Sequence, residues 1–318
     1  MENQKQQSEK EQKFVSVVAY VHNSREELIR FLDVVMGRCE TLFAQCELIL
    51  VDDASTDDSV DLVRSYYQTR EEHYIVSLIR MGAYHGLESA MNAGRDMAIG
   101  DYVYEFDDLY VDYDPEIIER TYRQSLAGCD IVSAASDARM SLTSRLFYSL
   151  YNRASGTRHP LGQETFRLLS RRAINRVKSM GSFIPYRKAV YRNCGLAAET
   201  LVYANTAGPG ARTLHSHKHE RGDLAVDSFI YFTNVMERTA LIISGVFLAI
   251  ALIVVGYVIA SYFMDQARVS GWVSLMGFLS LGFMGLFGLL TIVLKYLSVI
   301  VGLVFRHQRY LIENVEKL

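Results

Sequence analysis

The chain has 318 residues, a formal charge of −3 and 50% hydrophobic residues. That length fits about two domains, and the mildly acidic balance excludes the clustered basic face that a nucleic-acid binder needs. The four cysteines, Cys39, Cys46, Cys129 and Cys194, lack metal-site or disulfide-framework spacing and fit a reducing compartment.

Residues 1–13 are polar and lysine-rich with no apolar h-region, which predicts a disordered arm and no signal peptide. From Phe14 short apolar runs alternate with amphipathic stretches. "FVSVVAYV" predicts a strand, and "SREELIRFLDVVMGRCETLF" a helix with Ser24 and Glu27 as its capping box. "CELILV" predicts a second strand, followed by a helix opening at "STDDSVDLVRSYY". "YIVSLI" and "GLESAMNAGRDMA" repeat the pattern. "DYVYEF" and "DPEIIERTYRQSLAG" repeat it again, with Asp114 as cap and Pro115 at the first helical position. "CDIVSAA" predicts a fifth strand.

This alternation predicts an α/β fold, a mostly parallel sheet with helices on both faces. Ligands of such sheets bind beyond the carboxyl ends of the strands. Asn23 follows the first strand, Asp52 and Asp53 end the second, and Asp107 and Asp108 end the fourth, so all five fall on one sheet edge. They either start turns and cap helices or line a pocket. Ser55 and Asp58 fit the cap; the paired carboxylates fit the pocket.

The apolar residues concentrate near the C-terminus. Residues 240–264 and 272–294 carry no charge, and each run reaches the roughly 20 residues that cross a bilayer core. Both are expected to be transmembrane helices. Arg221 and Arg238 precede the first run, and Arg306, His307, Arg309 and Lys317 follow the second, while "DQARVSG" between them holds one Asp and one Arg. The positive-inside rule then places residues 14–222 and both termini in the cytoplasm. Residues 223–239 read as an interfacial amphipathic helix and 295–318 as a juxtamembrane tail. His215, His217 and His219 leave two readings open, a zinc-type imidazole set or a basic loop near lipid headgroups.

"FVSVVAYVHNSREEL", "ELILVDDASTDDSVDLV", "AMNAGRDMAIGDYVYEFDD" and "DPEII" resemble, in order, the N-terminal blocks of the family-two inverting glycosyltransferases. "SRLFYSLYNRASG", "TFRLLSRRAINRV", "DSFIYFTNVMERTALIIS", "GWVSL" and "RHQRYLIENV" are similar to the polyprenyl-phosphate glycosyltransferases related to dolichyl-phosphate mannose synthase. The resemblance spans roughly residues 14–318 and implies a GT-A-type domain. The implied reaction moves a sugar from a UDP- or GDP-sugar to a polyprenyl phosphate. It also implies membrane lipids as partners, with a homo-oligomer left open. Asn23, Asp52 and Asp53 would bind the donor nucleotide, with Asp53 supporting the loop. Asp107 would be the first acid of the Asp-x-Asp motif that holds Mg2+ or Mn2+, and Asp107 and Asp108 would be the catalytic pair. Arg139 and Arg145 would bind the acceptor phosphate, or else form a solvated helix face.

The sequence departs from that pattern at several points. Asp-x-Asp reads Asp107-Asp108-Leu109, so the second acid is replaced, with Glu105 available only in a shifted register. The Asp-rich turn before the Phe-Arg block reads "GQETFR", leaving Gln163 and Glu164, and "HSHKHERGDL" replaces a Gly-x-Ser-Lys-Tyr stretch. Two rival readings follow. One transfers sugar to a hydroxyl of a lipid-linked glycan, with Asp108 or Glu164 as general base. The other is a degenerate, non-catalytic membrane partner of an active transferase.

Overall fold

The structure, a computed structural model, describes residues 10–68, 74–138, 142–155, 161–180, 186–206, 271–305 and 310–318, with isolated positions between 242 and 253. It divides into two units, Met1–Ala225 with Gln308–Leu318, and Val226–His307. The expected interfacial helix 223–239, the three histidines, Arg139 and nearly all of the run 240–264 lie outside the described residues.

The first unit is built on one eight-stranded sheet. Its strands are β1 (Glu11–Val21), β2 (Phe43–Asp52), β3 (Ile75–Met81), β4 (Tyr102–Phe106), β5 (Ile131–Ser136), β6 (Phe166–Ser170), β7 (Ala198–Tyr203) and β8 (Ile312–Lys317). They lie in the order β7-β5-β6-β4-β1-β2-β3-β8. The pairs β1–β2, β1–β4, β2–β3 and β5–β7 are parallel, while β6 runs antiparallel between β4 and β5, and β8 antiparallel along β3. The expected α/β architecture is therefore present, with two antiparallel strands that the chain-order pattern did not show.

Strands β1 and β2 are buried on both faces, as parallel strands under helices must be, and so read as nearly unbroken apolar runs. Val15, Val17, Ala19, Val21, Leu48 and Leu50 turn toward one core. That core also takes in Leu28 and Phe31 of α1 (Arg25–Phe31), a π-helical turn at Leu32–Met36, Cys39 of α2 (Gly37–Leu42) and Val63 of α3 (Ser59–Gln68). Ile117, Ile118 and Tyr122 of α5 (Glu116–Leu126) complete it. Helix α4 (Leu87–Met97) lies against Val18 and Val51, the alternate residues of the same strands.

Several local expectations change. Glu11, Gln12 and Lys13 belong to β1, because Glu11 pairs with Phe43 of β2, so the arm is shorter than 1–13. Ser24 makes no side-chain cap; its hydroxyl donates back to the His22 carbonyl, and the Arg25 N–H is taken by Asp57 from the next loop. The Asp114 cap is present, accepting from Glu116 N at 2.9 Å. The tail 295–318 is not one segment. Helix α9 (Trp272–Phe305) runs through it to Phe305, and β8 follows. Strand β8 covers the β3 edge, with Glu316 paired to Arg64 at 2.8 Å and Tyr310 Oη donating to Asp96. Covering that edge removes a row of unpaired backbone groups.

In the second unit α9 is 34 residues long, with Lys295 as its one charged residue. Among the described residues no helix is long and apolar enough to cross a membrane. Many α9 side chains lie outside the described set, so its continuous apolar character is a property of the sequence.

The close approach of α4 to the sheet depends on one glycine. A Cβ at Gly94 would lie 2.5 Å from Val18 Cγ1 and 2.6 Å from Val51 Cγ2. Alanine is the better helix former by about 1 kcal/mol, yet Gly94→Ala is expected to lower stability by about 1–3 kcal/mol through overpacking. Thermal unfolding measures this, and a stabilised variant would mean that α4 stands farther off β1 and β2.

Candidate active site

The parallel strands deliver their carboxyl ends to one edge in close register. Val21 pairs with Asp52, Asp52 with Arg80, and Ala19 with Phe106. His22, Asn23, Asp53 and Asp107 therefore leave the sheet together. Two non-glycine residues there hold positive φ, Asn23 at 49° and Ala54 at 54°, a conformation rare outside turns and constrained sites.

One half of this edge is held by backbone N–H groups. Asp53 is fully buried and accepts from His85 N and Gly86 N at 2.8 Å each and from Tyr20 Oη at 3.0 Å. Gly86, at φ 81°, is the turn that lets its N–H point at the carboxylate. Asp52 accepts from Ser55 N, and its Oδ2 lies 3.9 Å from Arg80 Nε. Asn23 Oδ1 accepts from Thr56 N, Asp57 N and the Thr56 hydroxyl. His22 and Tyr84 bring their rings to 4.9 Å beside this loop. Asp53 thus ties β2 to the loop after β3, and Asn23 is tied to the loop after β2.

The other half is ionic. Glu105 and Arg167 stand opposite each other in the β4–β6 register, so their side chains share a face. Arg167 reaches Glu105 at 2.9 Å, Asp107 at 2.6 Å and Glu164 at 3.4 Å. Arg187, which opens α8 (Arg187–Asn193), reaches Glu105 at 2.8 Å, Asp107 at 2.7 Å and Glu88 at 2.9 Å. Lys188 lies 3.8 Å from Asp107, Arg192 reaches Glu164 at 2.7 Å, and Tyr191 Oη donates to Glu105 at 2.8 Å. Burial raises the pKa of Asp107, but Arg167, Arg187 and Lys188 outweigh it and hold the carboxyl well below the usual range. Glu164 is lowered in the same way, burial being overcome by Arg167, Lys188 and Arg192.

Asn23, Asp52, Asp53 and Asp107 thus share the edge as expected. Asp108 turns aside to accept from Tyr110 N at 2.8 Å, closing an Asx-type turn. Arg145 is exposed on α6 (Leu142–Ser155). Leu109 is buried, so the missing second acid is replaced by core packing. Glu105 does not stand in for it, because both guanidinium groups and Tyr191 fill its oxygens. Among the described residues no group of three His, Cys, Asp or Glu side chains is disposed to hold a metal. Sequence reasoning missed Glu88, Arg167, Arg187, Lys188 and Arg192. The signal available was a single Glu within "YVYEF" and a single Arg within "FRLLS", complementary charges inside two apolar strands.

The glycosyl transferase family 2 model matches residues 16–192. An undecaprenyl-phosphate 4-deoxy-4-formamido-L-arabinose transferase of Pectobacterium carotovorum is 32% identical over 149 residues, 45% of each chain. The Pseudomonas syringae transferase of the same name is 32% identical over 127 residues, 40% of this chain and 37% of its own. The chain thus spans less than half the length of these curated relatives. A mannosyltransferase from Pyrobaculum calidifontis, solved in complex with GDP-Man and Mn2+, superposes with a TM-score of 0.50 at 15% identity. The superposition covers 90% of this chain and 88% of that one, and shows a shared GT-A fold. With the family model matching more than half of its length, over the sheet and the acidic edge described above, the chain belongs to glycosyl transferase family 2.

Proposed function

We propose that this chain is a membrane-anchored, inverting glycosyltransferase that moves a sugar from a nucleoside-diphosphate sugar to a polyprenyl phosphate. Family membership and the names of the curated relatives support the reaction class. The observation that carries the acceptor is the engagement of the carboxylates at the strand ends. Asp107 and Glu164 each give both oxygens to cationic side chains, and Asp108 closes a turn. A hydroxyl acceptor needs a base with a lone pair aimed at its proton. A phosphate monoester, with a second pKa of about 6, is already an anion and needs none. The site therefore favours the phosphate.

The residues at Asp107 do not fit the divalent cation that the Asp-x-Asp resemblance implies. The carboxylate is filled by Arg167 and Arg187, and the second ligand position is Leu109. The chemistry accordingly rests on the chain's own groups. The nucleoside lies against Asp52 and the loop held by Asp53 and Asn23. The sugar carbon faces the acceptor from the side opposite the departing diphosphate, which inverts its configuration. Arg145, exposed and cationic, attracts the acceptor phosphate.

The two uncharged runs, 240–264 and 272–294, support membrane anchoring. Described side chains along α9 expose large apolar groups, among them Phe283 at 52%, Phe287 at 61% and Val293 at 58%, an exposure that lipid accommodates and water does not. At about 1.5 Å per residue α9 is longer than a bilayer core of about 30 Å, so its later turns run on past the interface. Strand β8 adds a constraint. It pairs with β3 in the first unit, which fits an even number of membrane crossings between β7 and β8. Two crossings, with both termini beside the catalytic unit in the cytoplasm, satisfy it.

A cysteine placed at Gln266 is expected to react with an impermeant thiol reagent in intact cells while one at Lys317 is protected. The reverse pattern would remove the topology. Asp52→Asn is expected to weaken nucleotide binding with little change in melting temperature. Asp107→Asn, which leaves two buried guanidinium groups short of a carboxylate, is expected to cost about 3–5 kcal/mol of stability. Detergent-solubilised chain, given a nucleotide sugar and a short polyprenyl phosphate, is expected to form a mild-acid-labile phosphodiester. Arg145→Ala should raise the acceptor KM more than the donor KM. Product only on lipid-linked saccharides would select the hydroxyl acceptor, and no product on either would select the non-catalytic partner.

A further inference from the structure

Glu88, Glu105, Asp107 and Glu164 meet Arg167, Arg187, Lys188 and Arg192, and each of these carboxylates has a cationic partner at 2.6–2.9 Å. Hard divalent cations are held by oxygen ligands with lone pairs directed at the ion. Here the lone pairs of Asp107 are taken by guanidinium N–H groups, and Leu109 offers none. An ion approaching Asp107 would also meet three positive charges within 3.8 Å of that carboxylate, a repulsion that burial strengthens.

We propose that Arg167, Arg187 and Lys188 take the place of a divalent cation at Asp107, so that the donor's nucleoside diphosphate binds without metal and Lys188 meets its phosphates. This rests on the nucleotide-sugar reading above. Burial divides the roles among the three. The Arg167 and Arg187 side chains are 0% exposed, and each is fixed by at least three carboxylate contacts, which makes them positioning residues. Lys188 and Asp107 are 15% and 12% exposed, so they form the open end of the cluster. At that end one carboxylate is shared by three cations, while Glu88, Glu105 and Glu164 balance the arginines from within. A lysine ammonium is a compact charge on a flexible stem. At 3.8 Å its pair with Asp107 is longer than the arginine pairs of the cluster, which makes it the cation best placed to turn toward a phosphate.

The test is calorimetric titration of the full-length, detergent-solubilised chain with UDP, GDP, ADP, CDP and dTDP, once in EDTA and once in Mn2+. At least one diphosphate is expected to bind with the same Kd in both buffers. Lys188→Gln should weaken it about tenfold, the scale of one charge-assisted hydrogen bond, and Lys188→Arg should restore most of the loss. Binding that requires Mn2+ would overturn the inference and leave the transferase reading standing. Unchanged affinity in a folded Lys188→Gln variant would overturn the assignment of Lys188. Absence of binding in both buffers would overturn the nucleotide-sugar reading itself. The wild-type comparison of EDTA with Mn2+ depends on no variant folding.

Discussion

Burying charge is the constraint around which this sheet edge is arranged. Glu105, Arg167 and Arg187 have no exposed side-chain surface, and an isolated ion at that depth costs several kcal/mol even after relaxation. Repeated pairing offsets the cost. Both oxygens of Glu105 are engaged, one by the two guanidinium groups and the other by the Tyr191 hydroxyl. Each arginine in turn spans three carboxylates, so Arg167 ties β6 to β4, and Arg187 ties α8 to β4 and α4. A planar fork of five N–H donors suits bridging separate carboxylates in this way. The order of β4, β6 and α8 around the site is thus locked by electrostatics where the rest of the sheet relies on apolar packing.

What was legible in the sequence follows the same division. Strands β1 to β5 announce themselves because local apolar runs record burial on both faces, and the acids at their ends are readable as an edge because parallel strands share a direction. Strand β6 is five residues long and lies next to two strands far from it in the chain, so no local period marks its direction. Strand β8, "IENVEK", is polar and exposed and is a strand only through its pairing with β3. The Ser24 capping box failed for a related reason. Its hydroxyl is drawn to the His22 carbonyl, and Asp57 from a distant loop takes the helix N–H in its place. Arg167 and Arg187 look like surface residues in a basic stretch until the β4–β6 register sets Arg167 against Glu105.

The segment entering the C-terminal strand links the far end of the chain to the loop after β3. The N–H of Leu311 donates to His85 Nε2 at 3.2 Å, while His85 Nδ1 faces the Ala83 carbonyl, which fixes the ring with its proton on Nδ1. The backbone of His85 in turn donates to Asp53. A chain segment that follows the apolar helix is therefore two contacts away from the buried carboxylate of Asp53. The same pairing protects the β3 edge, so one short polar strand has consequences for edge protection and loop geometry together.

The two halves of the edge differ in how their charged groups are held. Asp52 is bonded to a backbone N–H of its own loop, Asp53 to two of the loop after β3, and Asn23 to two of the loop after β2, so this half of the edge is set by the chain fold and its two positive-φ residues. On the ionic side the guanidinium groups are equally fixed, each by bonds at or below 2.9 Å. The Lys188–Asp107 pair, at 3.8 Å, is longer than these arginine pairs and is partly exposed. A site that depends on a mobile metal ion must assemble its charge with each donor. On the metal-free binding proposed above, the compensating charge is built into β6 and α8, and Lys188 is the group that turns toward the donor. Fixed charge of this kind lowers the cost of stabilising a departing diphosphate, because the dipoles and cations need not reorient as negative charge develops. The corresponding cost is met in folding, where four buried or half-buried acids and four bases have to find one another across β4, β6, α4 and α8.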